Sequence, residues 1–349
     1  MRDFFLLLAV AFLSSSCSPK EPLYNTQTYV FGTLVDISIY GETDERAQAV
    51  TNTIINQYNT MHRRLHAWKP SELQSINQSF SQGNATIEIS PSMARMLSDI
   101  TKLSNQSGGT FNPAIGKLVK LWGFHNEEFT PQEIAPNKIQ ALIAQNPQMS
   151  DIKVDGTNIH STNPAVQLDL GGYAKGYALD IGLAYLKEQN IHNALINIGG
   201  NIIALGKHGD QPWRVGIQHP RQPNAIAAID LPSGWAIGTS GDYQRFFVLD
   251  GQRYCHIINP ATGYPVQGIQ SVTVLIPPQN NAGVLSDVAS KPIFIAQPSE
   301  RIEAAKSMQV NHFLVIESEQ NILASAAMQK QLHWLDAGAE KHLKVITVD

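Results

Sequence analysis

Apolar residues along this chain follow both the strand period and the helix period, so strands and helices are predicted to alternate. Alternation from Val35 onward predicts a strand over residues 28–40, with Gly32 as a bulge or a close-approach point. Helical spacing predicts helices over 44–64, after Ser71, from Ser90-Pro91, over 136–145, over 281–290, from 299 and near 324–331. Further strands are predicted at 152–155, 158–161, 193–198, 202–205, 213–218, 226–230, 235–239, 244–249, 254–258, 272–276, 292–295, 312–316 and 344–348. This order is typical of an α+β protein.

One stretch combines a predicted strand, a glycine turn and a helix start. Val166–Leu170 alternates as a half-buried strand, Gly171-Gly172 ends it, and helical spacing begins at Tyr173 and fades near Asn190. The predicted apolar face of that helix consists of Ala174, Tyr177, Ile181, Ala184 and Tyr185. Such a turn leaves backbone N–H groups free and suits a phosphate.

Lys175 places a positive charge in the first turn of this helix, where a cation is mildly unfavourable. Its position indicates either a bound anion or a pairing with Asp169 on the preceding strand. A plain strand-to-helix turn with a solvated lysine explains the pattern about as well. The stretch matches neither of the common glycine-rich phosphate motifs.

The first residues have the form of a secretory signal. An apolar run from Phe4 to Leu13 is too short to span a membrane, and small residues lead from it to Cys17. A cysteine at this place resembles the lipid-acceptor site of a bacterial lipoprotein. We therefore expect a signal peptide over 1–17, a tether over 18–27 and one large domain over 28–349. The protein would be lipid-anchored through Cys17 on the periplasmic side of a bacterial membrane.

Charge and cysteine content narrow the functional classes. A net charge of −4 gives no reason to expect a nucleic-acid partner. If Cys17 carries lipid, Cys255 is left without a partner in its own chain, and a buried apolar role is the common one for such a cysteine. No Cys/His cluster with zinc spacing is visible.

Three acidic residues and one histidine are candidates for chemistry. Asp287 lies in an otherwise apolar helix, where burial without a partner is costly, so it either pairs with a cation or holds a metal. Lys291, one turn later, is the ordinary partner, whereas a hard cation such as Mg²⁺ would use carboxylate oxygens. Asp169 and Asp242 are the other acids. For His256, before a proline turn, a structural role is favoured.

Several short motifs, in order, cover about residues 28–295. They are Phe31-Gly32-Thr33, Ser71-Glu72-Leu73 with Asn77, Ser107-Gly108-Gly109-Thr110-Phe111-Asn112-Pro113, Leu121-Trp122-Gly123-Phe124, Asp169-Leu170-Gly171-Gly172-Tyr173-Ala174-Lys175-Gly176-Tyr177, Asn197-Ile198-Gly199-Gly200-Asn201, Thr239-Ser240-Gly241-Asp242-Tyr243, His256-Ile257-Ile258-Asn259-Pro260-Ala261-Thr262-Gly263 and Ser286-Asp287. Each is weak alone, but together they resemble the FAD:protein FMN transferases, the ApbE-type flavin transferase lipoproteins.

The resemblance implies a single α+β domain with the flavin in a cleft between two lobes. It implies an exported enzyme that uses FAD and Mg²⁺ and transfers FMN to a threonine hydroxyl of a target flavoprotein, releasing AMP. The target would be a subunit of a membrane redox complex. Some relatives hydrolyse FAD to FMN and AMP instead. By motif match, the FAD-binding residues are Phe31, Trp68, Thr110, Phe111, Asn112, Asp169, Lys175 and Ile258.

The same resemblance implies a metal held by the carbonyl of Gly172, by Asp287 and by a side chain four residues later. That later position is Lys291 here, and an ammonium has no lone pair for Mg²⁺. Three explanations are open. Ser290 or water replaces the missing metal ligand, or the Lys291 ammonium supplies part of the metal's charge, or the protein binds flavin without efficient transfer. Asp287 or Asp242 is expected to accept the threonine proton. An FAD pyrophosphatase and a non-catalytic FAD-binding lipoprotein are the alternative functions.

Overall fold

A computed structural model describes residues 21–83, 86–126, 128–318 and 320–348. The predicted signal peptide, Cys17 and the first residues of the predicted tether lie outside these ranges. No helix within them is both long enough and apolar enough to cross a membrane.

Strands and helices alternate along the chain as the periodicity predicts. The strands are β1 (Leu23–Val30), β2 (Thr33–Tyr40), β3 (Ile87–Glu88), β4 (Ile152–Asp155), β5 (Asn158–Ser161), β6 (Ala194–Ile198), β7 (Asn201–Leu205), β8 (Trp213–Gln218), β9 (Ala225–Leu231), β10 (Ala236–Gly241), β11 (Phe246–Leu249), β12 (Gln252–Cys255), β13 (Ser271–Ile276), β14 (Phe313–Ser318), β15 (Asn321–Ser325), β16 (His333–Trp334) and β17 (Leu343–Ile346). The helices are α1 (Asp44–Arg64), α2 (Glu72–Ser81), α3 (Pro91–Gln106), α4 (Gly116–Leu121), α5 (Pro136–Ile143), α6 (Ala174–Glu188), α7 (Ala282–Val288), α8 (Ser290–Ile295), α9 (Arg301–Ser307), α10 (Ala326–Gln329) and α11 (Ala337–Glu340). A short 3₁₀ helix covers Met149–Asp151.

A large mixed sheet organises the fold. In the part of the chain that the structure describes, its order is β1-β2-β6-β7-β10-β13-β14-β15-β17, and only the β15–β17 pair is parallel. Smaller sheets are β16-β9-β8, β3-β5-β4 and β11-β12. The principal hydrophobic core joins the large sheet to α1, α3, α6, α7 and α8, and a second core lies between the large sheet and β8-β9. The predicted mixed single-domain class is confirmed.

The predicted strand over residues 28–40 is instead a hairpin of two strands. β1 pairs with β2 from Leu23↔Tyr40 to Val30↔Thr33, so the folded domain begins before the predicted boundary at residue 28. Phe31 and Gly32 form the two-residue turn, with φ values of 57° and 72°. Positive φ at both positions matches the twist of a tight hairpin, and it is strained for a phenylalanine.

Two further predictions of local structure are wrong. The predicted helix over 281–290 is confirmed as α7, but the predicted strand over 292–295 is a second helix, α8. A short buried apolar run has no period that separates strand from helix. The predicted strand at 166–170 is an extended segment with a single bridge, Ile115↔Gln167. Its alternation reflects real burial, since Val166, Leu168 and Leu170 are all core residues.

The predicted face of α6 is also only partly correct. Ala184 is exposed, and the residues buried along this helix are Ala174, Gly176, Ala178, Leu179, Gly182, Leu183 and Leu186. Packing on more than one side buries small residues that an apolar-face pattern does not single out. Cys255 is buried in the principal core, as predicted.

Candidate active site

The site is built where helices α6 and α7 cross at two glycines. A Cβ atom on Gly176 would lie 2.4 Å from the carbonyl oxygen of Gly283, and a Cβ on Gly283 would lie 2.5 Å from the carbonyl oxygen of Gly176. Only glycine at both positions lets the backbones approach this closely. The crossing brings Asp287 of α7 onto the first turn of α6.

Asp180 on α6 fixes the start of α7. Its two carboxylate oxygens accept hydrogen bonds from the backbone N–H groups of Gly283 (2.7 Å) and Val284 (2.8 Å). These are donors that the first turn of a helix leaves unsatisfied. Burial raises the pKa of Asp180 to about 7, although both hydrogen bonds act to lower it.

Asp287 is buried and has partners on both carboxylate oxygens. Oδ2 accepts from the backbone N–H of Gly176 at 3.1 Å, and Oδ1 accepts from Nζ of Lys291 at 2.7 Å. Burial acts to raise the pKa of Asp287, but the charges of Lys291 and Lys175 outweigh it and hold the pKa below its usual value. An ionised, fully paired carboxylate is a poor proton acceptor, which counts against Asp287 as the catalytic base.

Lys175 is a half-buried cation in the first turn of α6. Among the residues described it makes no ion pair and no side-chain hydrogen bond, so the predicted pairing with Asp169 does not form. Burial lowers the pKa of its ammonium, Asp287 raises it, and Lys291 lowers it further. A partly desolvated ammonium that makes no ion pair is the arrangement expected where an anionic ligand binds.

The residues predicted to hold Mg²⁺ do meet, but they do not fit the metal. Lys291 donates to Asp287, and its Cε lies 2.7 Å from where a Cβ on Gly172 would be. Ser290 Oγ is 3.0 Å from the carbonyl oxygen of Asp287, to which it donates, and 2.8 Å from Ser240 Oγ. A Mg²⁺ ion needs near-octahedral oxygen ligands, and here both the carboxylate Oδ1 and the carbonyl oxygen of Asp287 already accept from an ammonium.

Asp169 stabilises the glycine turn itself. Its Oδ1 accepts a hydrogen bond from the backbone N–H of Gly171 at 2.8 Å. The turn therefore uses one of the N–H groups that the sequence argument assigned to a phosphate, and the N–H of Gly176 is used by Asp287. These two amides are therefore not free to bind an anion.

Two of the predicted FAD-binding aromatics are half-buried and lie in aromatic groups. Phe31, at the β1–β2 turn, packs against Tyr58 and His62 of α1, with centroid distances of 5.9 and 5.7 Å. Trp68 packs against His125 at 5.3 Å. A cavity of about 320 Å³ borders Trp68 and is lined in part by Asn77, Lys117, Lys120 and Gln167.

Other residues predicted to bind FAD are largely occupied by the fold. Phe111 is in the principal core, and Ile258 is in a smaller cluster around Trp122. Asn112 is buried, with its side chain accepting from the N–H of Ala114 (3.0 Å) and donating to the carbonyl of Pro147 (2.9 Å). Thr110 is half-buried in the same loop. Their assignment as FAD ligands stays a prediction.

Asp242 has an ion-pair partner on both of its carboxylate oxygens. Both carboxylate oxygens accept from the guanidinium of Arg221, at 2.7 and 2.6 Å. A bidentate pair of this kind uses the carboxylate lone pairs that a base would need. The ion pair counts against a catalytic role for Asp242, which stays a prediction, and it anchors the residue that follows β10.

His256 lies in the cationic part of the site. Its Nδ1 is 3.2 Å from the carbonyl oxygen of Arg245, which can only accept, so Nδ1 carries the proton and Nε2 has the free lone pair. Burial, followed by the charges of Arg245, Lys175 and Lys291, lowers the pKa of His256 to about 3. The sequence predicts a structural role for His256, because a lone histidine after a strand carries no signal of its spatial neighbours.

Together these features define an α+β protein with a buried acid and a group of cations at a glycine turn, an arrangement suited to a phosphorylated ligand. The ApbE family model matches residues 31–314. The chain belongs to the ApbE family, which confirms the resemblance found in the sequence motifs.

Individual relatives and solved structures are similar to this chain over most of its length. The FAD:protein FMN transferase of Rhodobacter capsulatus is 38% identical over 319 residues, 91% of this chain, and the chain spans 60% of that relative's length. The FAD:protein FMN transferase of Haemophilus influenzae is 27% identical, covering 93% of this chain and 96% of the relative. The crystal structure of the ApbE protein of Thermotoga maritima is similar with a TM-score of 0.80 and 26% identity, covering 89% of this chain and 99% of that one.

Proposed function

We propose that this chain transfers FMN from FAD to a threonine hydroxyl of a target flavoprotein and releases AMP. The observation that carries the proposal is Lys175, a half-buried ammonium that makes no ion pair within the described structure at the first turn of α6. A pyrophosphate would supply the missing anion. The names of the relatives and the family membership support FAD as the source of that pyrophosphate.

The reaction balances without any redox change. The threonine Oγ attacks the phosphorus of the FMN half, a new P–O bond forms, and the bond to the AMP phosphate breaks. The hydroxyl proton goes to a base on the protein, and the electron pair of the broken bond leaves with AMP. This chemistry depends on positioning and on charge stabilisation more than on a covalent intermediate.

Positive charge for the pyrophosphate comes from the chain's own side chains in this proposal. The charges of Lys175 and Lys291 lower the pKa of Asp287. The charge of Arg245 lowers the pKa of Lys175 and of His256, so the three cations lie in one region. The magnesium dependence implied by the resemblance is not part of the proposal, because Lys291 fills the place of the metal at Asp287.

His256 is the base in this proposal, in place of Asp287 and Asp242, whose carboxylates are paired. Its Nε2 has the free lone pair, and the ring is neutral because burial and three cations depress its pKa. A bound pyrophosphate neutralises those same cations and so raises the pKa towards the working range of a general base.

The experiment is an endpoint assay on the full chain in mild detergent with FAD and a target domain that carries an acceptor threonine. AMP is measured by chromatography, and covalent flavin on the target by in-gel fluorescence. We expect AMP and labelled target in equal amounts. His256→Gln should lower the transfer rate by about 10²-fold or more with FAD binding retained, since general-base catalysis contributes about that factor.

The matched control is His192→Gln, because His192 is exposed, and it should leave the rate unchanged. AMP release without labelled target, and without need of a target, would identify an FAD pyrophosphatase. Equal transfer rates in wild type and His256→Gln would remove the histidine from the mechanism.

The ion pair between Lys291 and Asp287 favours one second candidate, a non-catalytic FAD-binding lipoprotein. A filled cation position would leave a binding site without the charge needed for transfer. Stoichiometric FAD binding with no AMP over many hours, in the same assay with and without divalent metals, would establish this alternative.

The cellular setting is part of the same proposal. The signal-like segment before Cys17 supports a lipid-anchored protein on the periplasmic side of a bacterial membrane. A membrane redox complex with a flavoprotein subunit is the partner that this location favours. Radiolabelled fatty acid incorporated into the wild type but not into Cys17→Ala would support the anchor, and equal incorporation would contradict it.

A further inference from the structure

Lys291 lies where the resemblance requires a metal. Its Nζ is 2.6 Å from the backbone carbonyl oxygen of Asp287 and 2.7 Å from Oδ1 of the same residue. Its Cε and Nζ lie 2.7 and 3.6 Å from the position of a Cβ on Gly172. The ammonium is therefore among the same groups, Gly172 and Asp287, that were expected to surround Mg²⁺.

Asp287 and Lys291 lie on either side of the junction between α7 and α8. Asp287 is the second-last residue of α7 and Lys291 is the second residue of α8, with Ala289 between the two helices. The two side chains are nonetheless four residues apart and meet, with 17% of the Lys291 side chain and 4% of the Asp287 side chain exposed. An ion pair this sheltered is screened little by salt, so the ammonium is held firmly in place.

Competing oxygen ligands nearby are already engaged. Ser290 Oγ is hydrogen-bonded to Ser240 and to the backbone of Asp287, and Asp287 Oδ2 is bonded to Gly176. A divalent ion at this point would have to displace the ammonium and would then face an unpaired lysine within the same small volume. Two cations at such a short distance repel each other strongly in a partly buried site.

We infer that the ammonium of Lys291 is the resident cation of this site and takes the place of a divalent metal at Asp287. The ammonium has three N–H donors, of which two point to Asp287. The third is left for an oxygen of the ligand's phosphate. The inference rests on the proposed function for the identity of that ligand, and the absence of a metal requirement is its consequence.

The test is metal binding, measured by the electron paramagnetic resonance signal of Mn²⁺, with the full chain alone and with one equivalent of FAD. FAD without protein is the blank. We expect the wild type to bind no Mn²⁺ beyond that blank. Lys291→Thr, which supplies a hydroxyl in place of the ammonium, should gain one Mn²⁺ site that Mg²⁺ displaces, and Asp287→Ala added to it should abolish that site.

Lys291→Met is the matched control, because it keeps the aliphatic stem against Gly172 and offers no oxygen. It should bind less Mn²⁺ than Lys291→Thr and bind FAD about tenfold or more weakly than the wild type, the value of one charge-assisted hydrogen bond. Wild-type binding of one Mn²⁺ that Asp287→Ala removes would overturn the inference. A folded Lys291→Thr that gains no site would do the same.

A second readout separates this inference from the proposed function. If the chain transfers FMN, transfer by the wild type should be unchanged by EDTA, and transfer by Lys291→Thr should become EDTA-sensitive. If the chain does not transfer FMN, the Mn²⁺ measurement still decides whether Lys291 takes the place of the metal, since it needs no turnover. Loss of wild-type transfer in EDTA, restored by Mg²⁺, would contradict the inference directly.

Discussion

Gly176 and Gly283 face each other at the crossing of α6 and α7, and each leaves room for the other's carbonyl oxygen. This contact sets the distance between the two helices and so allows the Gly176 N–H to reach Asp287. The position of the candidate site therefore depends on two residues that have no side chains of their own.

Gly176→Ala should destabilise the protein and disturb the site together. The new Cβ would lie 2.4 Å from the Gly283 carbonyl oxygen and 2.8 Å from the Cβ of Asp287, so the helices must separate. Overpacking of this kind costs about 1–3 kcal/mol, and urea unfolding measures it. Ala184→Ser, at an exposed position of the same helix, is the control and should change little. Unchanged stability in Gly176→Ala would show that the helices move apart freely.

Asp180→Asn should destabilise the start of α7 and lower the free energy of unfolding. Asparagine has one acceptor oxygen where Asp180 uses two, so one of the two N–H groups at the start of α7 loses its partner. An unsatisfied buried donor costs about 1–3 kcal/mol in the free energy of unfolding. Glu188→Gln, at the exposed end of the same helix, is the matched control. A null effect of Asp180→Asn would mean that water replaces the lost hydrogen bond.

The same residue predicts a pH dependence. Burial raises the pKa of Asp180 from 3.8 to about 7, so between these values the native state holds a proton that the unfolded state has lost. The contribution of Asp180 to stability is therefore largest below pH 3.8 and falls as the pH rises to about 7. The wild-type minus Asp180→Asn difference in unfolding free energy should fall over this window. A rising difference would show that the two hydrogen bonds outweigh the effect of burial.

Lys175→Met should weaken FAD binding without lowering the stability of the fold. Because the ammonium is half-buried without an ion pair in the described structure, its removal should leave the unfolding free energy unchanged or raise it. FAD affinity, measured by flavin fluorescence, should fall about tenfold or more. Lys187→Met, on the exposed end of the same helix, should alter neither quantity. Full FAD affinity in Lys175→Met would contradict the role of Lys175 in binding the pyrophosphate, on which the proposed function rests.

Asp242→Asn should act on stability rather than on catalysis. The Asp242–Arg221 pair is partly exposed, with 11% and 29% of the side chains accessible, so breaking it should cost about 1–3 kcal/mol, between surface and buried pairs. The rate of transfer per folded molecule should stay within a few-fold of wild type. A fall of about 10²-fold or more at full stability would support Asp242 as the catalytic base.

Local pattern alone predicted much of this protein. Periodicity identified most strands and helices, for example β8 at 213–218, because the period of burial is set by backbone geometry and is written into neighbouring residues. The ordered motifs indicated the family, and the apolar surroundings of Asp287 indicated that it would have a partner. The predicted buried role of Cys255 followed from its type and isolation alone.

Only the tertiary structure decided which groups meet. The Asp242–Arg221 ion pair, the electrostatic influence of Arg245 and Lys175 on His256, and the glycine crossing join residues that are distant in sequence. The Gly176–Asp287 hydrogen bond spans 111 positions. Sequence spacing carries no information on such distances, because the path of the chain between them is fixed by packing. Residue types thus set which chemistry this protein can do, and the fold selects which acid is paired, which base is free and which cation fills the site.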